Sequence, residues 1–370
     1  MRIINATYQE ATTLIKAQNK KIIVYGAGMI GQVVVPYLLD LFDLYDYVEC
    51  FVDADKRKQG KILINGKREY EVKAPDYLEE ITGDRVVFIT NSRFYSIIRF
   101  LNSVKNLDNS IGYVIPIMQL NDLEKRDTQM IPFESGTHLI PKTIHYCWFG
   151  KKEMPLSLQE CIKSWKKYCP DYNIMEWNEE NYDIGRHRYT EEAYQSGKYG
   201  FVTDIVRLDV LYEYGGIYFD TDVTLEKNID DYLRLKGFVA TEKWGNINTG
   251  GGCGFIAGHP VLKELIEYRD NVPFLLEDGS INAETNGLYE TSLFLKKGYK
   301  PNNEMQIIDD VVILPSYINH PYDYMSCELK RRDNTVSVHH FNGGWMEKEE
   351  LDNRRATQIK YRQFIEEISQ

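Results

Sequence analysis

Long apolar runs are missing from this chain of 370 residues. None approaches the roughly 18–20 residues that would span a bilayer. The opening MRIINATYQEATTLIKAQ has no apolar core of the kind a secretory signal needs, so no such signal is expected. Positive charge is in deficit: 44 Lys and Arg against 55 Asp and Glu leave a net charge of −11. That balance argues against a partner made of bare phosphate backbone, where counterion release rewards a basic surface. It argues equally against a polybasic membrane anchor. Neither a nucleic-acid partner nor a transmembrane segment is expected. Closely spaced cysteine pairs are lacking too. Cys50, Cys147, Cys161, Cys169, Cys253 and Cys327 are scattered without a Cys-x-x-Cys, which reads as reduced thiols in a cytoplasmic protein rather than zinc ligands or disulfides. Internal repeats and low-complexity tracts are absent. What remains is an ordinary soluble composition, 43% apolar and 27% charged, on a chain too long for one core of roughly 100–200 residues. Tyrosine is abundant, with 27 copies. Its flat apolar face and hydroxyl suit sugars and nucleosides.

The chain divides by pattern. A helix is expected over Tyr8–Ala17, followed by an apolar strand at Lys21–Tyr25, a glycine loop and an apolar stretch at 32–42. Further β-like runs lie at 47–52, 85–90 and 111–115, with a helical pattern at 95–104. Strands alternating with helices imply an α/β domain with a parallel sheet of about four strands over 1–120. The polar, irregular text of 121–138 reads as a linker. A second domain is expected over 139–370, closed by a helix at 349–368.

Gly26-Ala27-Gly28-Met29-Ile30-Gly31 sits between a strand and a helix, the context in which Gly-x-Gly-x-x-Gly carries meaning. Gly26 permits a tight turn, Gly28 lets the backbone approach a pyrophosphate, and Gly31 allows the helix to pack on the sheet. Asp53, ending the next strand, is placed to accept hydrogen bonds from ribose hydroxyls. The motif therefore predicts a small Rossmann-like module with a nucleotide as its cofactor. Pro36 inside the following helix and the lack of a Tyr-x-x-x-Lys pair weigh against redox catalysis there. The alternative is a packing scaffold whose glycines serve only the turn.

The second domain carries a longer pattern. Ile140-Pro141-Lys142-Thr143-Ile144-His145-Tyr146-Cys147-Trp148-Phe149-Gly150 alternates as a strand that brings Trp148 to its carboxyl end, where ligands of open α/β sheets gather. In Thr203-Asp204-Ile205-Val206-Arg207-Leu208, the spacing predicts a helix with Asp204 and Arg207 on one face. Gly215-Gly216 ends that helix. A strand is then expected from Ile217, with Tyr218, Asp220 and Asp222 pointing one way. Paired carboxylates at the end of a buried strand are costly unless a cation neutralises them. Hard oxygen ligands suit Mn²⁺ or Mg²⁺, which in turn hold a diphosphate. The stretch around Asn248 is glycine-rich without the Gly-Lys-Ser/Thr of a P-loop.

Taken together, the Ile-Pro-Lys-x-Ile-His-x-x-Trp-Phe-Gly opening, the strand ending in Trp177-Asn178 and the Asp204–Asp222 stretch resemble the retaining DXD glycosyltransferases of family 32. That family includes capsular-polysaccharide transferases and is related to the glucosylating toxins. The resemblance spans roughly 139–346 and implies a GT-A-like fold. It implies that Trp148 stacks on the donor base and that Asp204 and Arg207 hold donor sugar and phosphates. Asp220 would contact ribose and sugar or bind the metal through water, Asp222 would ligate the metal directly, Tyr218 would steady the phosphates, and Asn248 would touch a sugar hydroxyl. The segment His339-His340-Phe341-Asn342-Gly343-Gly344-Trp345 resembles the closing segment of such sites, with His340 completing the metal shell and Trp345 beside the donor.

The sequence thus predicts a cytoplasmic enzyme, free or at the inner face of the membrane. Its reaction would be retaining transfer of a hexose from a nucleotide diphosphate sugar, UDP-linked by expectation, to a saccharide or lipid-linked saccharide acceptor in surface or capsular polysaccharide synthesis. Two other readings stay open: a nucleotide-sugar oxidoreductase or epimerase using the glycine loop, and a non-catalytic nucleotide-binding regulator.

Overall fold

Thr7 begins the first helix with a reciprocal cap: its hydroxyl accepts from the Glu10 N–H, and its own N–H donates to the Glu10 carboxylate at 2.7 Å. This helix belongs to the first of two units in the computed structural model, which describes residues 1–65, 68–91, 94–124, 136–282, 284–344, 346 and 348–369. The first unit comprises Met1–Asp127, Lys243–Gly245 and Asp352–Gln370. In chain order its elements are β1 (Arg2–Ile3), α1 (Tyr8–Ala17), β2 (Lys21–Tyr25), α2 (Met29–Leu41), β3 (Val48–Val52), β4 (Ile62–Asn65), β5 (Arg68–Lys73), β6 (Arg85–Ile89), α3 (Phe94–Ser103), β7 (Ile111–Val114) and α4 (Ile115–Glu124). The strands lie in the order β1-β7-β6-β2-β3-β5-β4, parallel throughout except where β4 runs antiparallel to β5.

The four strands expected from apolar runs are all present, at the centre of this sheet. The sequence missed β1, which is only two residues long. It missed β4 and β5 as well; in β5 Tyr70 and Val72 are the only buried residues in a polar run. The helix α4 extends to Glu124, taking the first residues of the expected linker, and 125–135 lie outside the described residues. A second correction concerns the C-terminal helix, Lys348–Ser369. It groups with the first unit, not with the second domain as its sequence position suggested. Phe94 explains why, meeting Tyr361 at 5.5 Å and Phe364 at 5.3 Å between ring centres.

The second unit comprises Thr128–Glu242 and Asn246–Leu351. Its elements are β8 (Thr143–Cys147), α5 (Leu156–Tyr168), β9 (Asn173–Trp177), α6 (Arg188–Gln195), α7 (Tyr199–Tyr214), β10 (Gly216–Tyr218), β11 (Val223–Leu225), β12 (Gly237–Thr241), β13 (Ile247–Phe255), α8 (Pro260–Asp270), α9 (Asn286–Lys296), β14 (Gln306–Ile308), β15 (Val311–Leu314), α10 (Ser316–Asn319), β16 (Tyr322–Asp323), β17 (Glu328–Leu329) and β18 (Ser337–His339). Seven strands form a mixed sheet in the order β14-β15-β12-β13-β10-β8-β9. Within it β10, β8 and β9 are parallel, and β13 runs against β10 and β12. The inner strands β12 and β15 are wholly buried and read as apolar runs, whereas the edge strands β9 and β14 carry exposed residues. Val239, Val311 and Ile313 join the helices α6–α9 on one face; Phe238, Ala240, Val312 and Leu314 pack with Trp165 of α5 and Ile318 of α10 on the other. The expected α/β architecture therefore holds in both units. Among the described residues, no helix is long and apolar enough to cross a membrane.

One buried imidazole fixes the approach to the site. The Trp177 indole N–H donates to His145 Nδ1 at 3.0 Å, so the ring carries its proton on Nε2 and donates it to the Gly215 carbonyl at 2.8 Å. Burial lowers the pKa of His145, against the pull of that carbonyl, and keeps the ring neutral. The turn from α7 into β10 is thereby tied to the strand β8.

Candidate functional site

The strand expected to carry both carboxylates ends early. β10 stops at Tyr218, and Asp220-Thr221-Asp222 forms the turn into β11. Two backbone bonds hold this turn: the Asp220 N–H donates to the Gly250 carbonyl at 2.8 Å, and the Val223 N–H to the Asp220 carbonyl at 3.1 Å. Leaving the strand lets both carboxylates converge, which strict alternation would not by itself ensure.

Asp220 is met from below. The Tyr218 hydroxyl donates to Asp220 Oδ1 at 3.1 Å, and Arg207 Nη2 lies 3.3 Å from the same oxygen. Tyr218 is fully buried, so it braces a carboxylate where the sequence had it steadying phosphates. Arg207 is anchored by its own helix, donating from Nε to the Thr203 carbonyl and from Nη2 to the Thr203 hydroxyl, both at 3.0 Å. The same Nη2 reaches Asp204 Oδ1 at 3.4 Å. Burial raises the Asp204 carboxyl from its ordinary value, opposed by Arg207 and by Arg269. Asp204 and Arg207 thus form a desolvated pair beneath the carboxylate turn, not an exposed helix pair.

Asp222 is met from above by a returning segment. β18 pairs antiparallel with β11, placing His339 opposite Val223. In that register His339 Nε2 lies 3.3 Å from Asp222 Oδ1. The His340 N–H donates to the Asp222 carbonyl at 3.0 Å, and the Asn342 N–H to Asp222 Oδ2 at 2.8 Å. Burial alone would raise the Asp222 carboxyl; the His339 ring and the Asn342 N–H outweigh it and bring it down to about 2. Phe341, between these contacts, has φ of 50°, a left-handed conformation that a bulky residue rarely adopts. Its ring stacks on His339 with centres 4.0 Å apart.

The expected metal ligand His340 is turned away. Its Nε2 bonds the Thr224 hydroxyl at 2.8 Å, because neighbouring strand residues face opposite sides. The imidazole that meets the carboxylates is that of His339. One ligand atom each from Asp220, Asp222 and His339 lies within 4.8 Å of the others, and His339 Nδ1 has no hydrogen-bond partner among the described residues. Two carboxylate oxygens and an imidazole nitrogen are a donor set that fits Mn²⁺.

The remaining expected residues have mixed placements. Trp148 stands just past the carboxyl end of β8 with a part-exposed ring, its indole N–H donating to the Lys152 carbonyl at 2.7 Å. Asn248 is committed to the fold: its amide donates to Glu242 at 2.6 Å and accepts from the Gly251 N–H at 3.0 Å. Trp345 lies outside the described residues. In the first unit, Gly26 adopts φ of 116°, and a Cβ there would fall 2.4 Å from Thr90 Oγ1. A Cβ on Gly31 would fall 2.2 Å from the Gly26 carbonyl oxygen, and Gly28 caps α2. Asp53 accepts from the Ala27 N–H at 2.7 Å and from the Asp55 N–H at 2.8 Å, so its carboxylate braces the loop itself.

Two charged residues were missed by sequence reasoning. Glu290 of α9 is buried, accepts from the Thr249 N–H at 3.0 Å, and is pushed by burial to about 7. Arg269 of α8 lies 3.7 Å from Asp204. Its only sequence signal is a charged residue continuing the apolar stripe Leu262–Leu265 of an amphipathic helix.

Comparison with known proteins bears on this geometry. Residues 155–239 match the family described as "Glycosyltransferase sugar-binding region containing DXD motif", a span that includes Asp204, Arg207, Asp220 and Asp222. The chain is 28% identical over 160 residues to inositol phosphoceramide mannosyltransferase 3 of Schizosaccharomyces pombe, covering 42% of this chain and 43% of that protein. It is 29% identical over 243 residues to inositol phosphoceramide mannosyltransferase 1 of the same yeast, covering 60% and 72%. A solved glycosyltransferase involved in the glycosylation of the major capsid of PBCV-1 aligns with a TM-score of 0.33 at 12% identity, covering 59% of this chain and 98% of that one. The chain thus spans less than half the length of the first of these relatives. The mixed α/β sheet of the second unit is consistent with the GT-A-like fold that the motifs implied.

Proposed function

We propose that this protein is a metal-assisted glycosyltransferase moving a hexose from a nucleotide diphosphate sugar to a saccharide or lipid-linked saccharide acceptor, with retention at the anomeric carbon. The observation that most supports this reading is the convergence of Asp220, Asp222 and His339 above the buried Asp204–Arg207 pair. A divalent cation held by these three residues would neutralise the donor diphosphate and stabilise it as it leaves. Arg207 contributes a charge that is always present and a planar fork suited to phosphate oxygens. Its links to Thr203 and Asp220 pre-set the direction of that fork, so little reorganisation is needed as charge builds on the leaving group. Asp204 supplies an acceptor for a sugar hydroxyl. Trp148, part-exposed past the end of β8, offers a face for the base.

The names of the yeast relatives favour mannose as the hexose and a lipid-linked acceptor; the capsular resemblance favours a UDP-hexose and surface polysaccharide. Incubation with Mn²⁺ and a panel of UDP- and GDP-sugars, with released nucleotide and NAD(P)H absorbance both measured, separates these readings. Nucleotide release without a redox signal supports transfer. A redox signal, or no release from any donor, overturns it.

A further inference from the structure

Arg269 is 1% exposed, yet among the described residues none of its guanidinium nitrogens has a hydrogen-bond partner. A buried charge with its donors unmet costs stability, and native folds rarely keep one without another use for it. Two aromatic rings hold it. The guanidinium carbon lies 4.3 Å from the centre of the Tyr189 ring and 4.1 Å from that of Tyr289. Rings from α6 and α9 therefore clamp a side chain rising from α8, and cation–π attraction is strongest in such desolvated settings. The edge of the clamped group faces Asp204 Oδ2 at 3.7 Å, while Asp204 Oδ1 faces Arg207. Each oxygen of one carboxylate thus answers a different guanidinium. The chain of charges runs Arg269, Asp204, Arg207, Asp220.

We propose that Arg269 is a positioning residue: clamped between Tyr189 and Tyr289, it holds Asp204 in the orientation from which Asp204 aligns Arg207 under the donor site. The inference rests on the transferase reading for its functional consequence, but the pairing itself does not. Without Arg269 the Asp204 carboxylate would lose one of its two fixed partners and be free to rotate or to swing wholly onto Arg207. The Arg207 fork would then leave its line with Asp220. A lysine in its place would keep the charge but lose the planar guanidinium that stacks on aromatic rings.

The test is a double-mutant cycle on the full chain, built from Arg269→Met, Asp204→Asn and their combination, with Arg269→Lys as a milder member should Arg269→Met fold poorly. Urea unfolding gives the first readout. Coupled residues make the double variant lose less midpoint than the single losses summed, whereas additive losses overturn the pairing. Nucleotide release from UDP-glucose and GDP-mannose in Mn²⁺ gives the second. Arg269→Met is expected to lower kcat roughly 10–100-fold in a folded protein, with a smaller change in KM, and to add no further loss once Asp204 is Asn. Arg269→Lys recovers part of that kcat. A native kcat in folded Arg269→Met, or full multiplication of the losses in the double variant, overturns the positioning role. If the native chain releases nucleotide from neither probe, the transferase reading loses its support for these donors, and the urea cycle still decides the pairing.

Discussion

Gly250 and Asp220 approach so closely that no side chain fits between them: a Cβ on Gly250 would fall 2.1 Å from Asp220 Oδ2 and 2.6 Å from Arg207 Nη1. The Gly250 carbonyl also accepts the Asp220 N–H, so the same residue both holds the carboxylate turn and makes room for it. Gly250→Ala should displace both charged groups at once. A loss of about 100-fold in Mn²⁺-dependent nucleotide release is expected, with circular dichroism unchanged, since misplacement of about 1 Å costs that much. Near-native turnover in the alanine variant would detach this turn from the chemistry.

The two neighbouring histidines make opposite predictions. His339→Ala should raise the Mn²⁺ concentration needed for half-maximal activity by roughly 10–100-fold, the range seen when a metal site loses a supporting interaction. His340→Ala removes the bond to Thr224 and should leave the Mn²⁺ requirement within about threefold of native. The reverse ranking, measured by metal titration, would restore His340 as the ligand.

Arg207→Lys keeps the charge and loses the planar fork. If the fork grips the departing diphosphate, turnover at saturating donor should fall by roughly 30- to 1000-fold, equivalent to about 2–4 kcal/mol. Thermal melting serves as the fold control. A folded variant with normal kcat would leave Arg207 as a structural partner of Asp220 and nothing more.

A buried polar cluster away from the carboxylates sets a pH window for stability. His187 bonds Asp209 at 2.9 Å and Asp270 at 2.6 Å, while Tyr182 and Arg186 also face Asp209. Burial works to lower the His187 pKa, but the two carboxylates prevail and raise it above 6.5. Its contribution is therefore full below about 6.5 and is lost as pH rises through the raised value. Asp209 behaves oppositely. Burial would raise it, yet His187, Tyr182 and Arg186 bring it below 3.8, so its contribution is lost as pH falls through that lowered value. Unfolding free energy should decline from mildly acidic pH towards pH 8, and His187→Gln should flatten that decline. An equal slope in both proteins would remove His187 from the account.

How much of this was legible in the sequence depends on how local each signal is. Asp204 and Arg207 lie three apart on one helix, followed at once by the Gly215-Gly216 turn and the paired carboxylates, so the pattern is visible in a single window. His339 is different. Two adjacent imidazoles look alike, and only the pairing of β11 with β18 decides which one faces inward. Asn248 was read as a sugar contact because nothing in its glycine-rich surroundings reveals that Glu242 and Gly251 already use its amide. Arg269 lay beyond reach for a related reason: its partners Tyr189, Asp204 and Tyr289 come from three other helices. The C-terminal helix joined the first unit through Phe94, Tyr361 and Phe364, apolar contacts that sequence order cannot rank.

The pairing of β11 with β18 also governs when the site can exist. Thr224 and His340, which meet across it, are 116 residues apart in the chain. Closing so long a loop is slow compared with forming local helices and turns. During folding, Asp220 and Asp222 can be brought together by their own turn well before the imidazole arrives, and for that interval two carboxylates share a site with no cationic or imidazole partner above them. Phe341, in its left-handed conformation, sits between residues whose N–H groups meet Asp222, and its ring stacks on His339. Metal affinity would then appear as one of the late events in refolding, behind secondary structure. The carboxylate pair would act as a latch that stays open until the distant strand has come home.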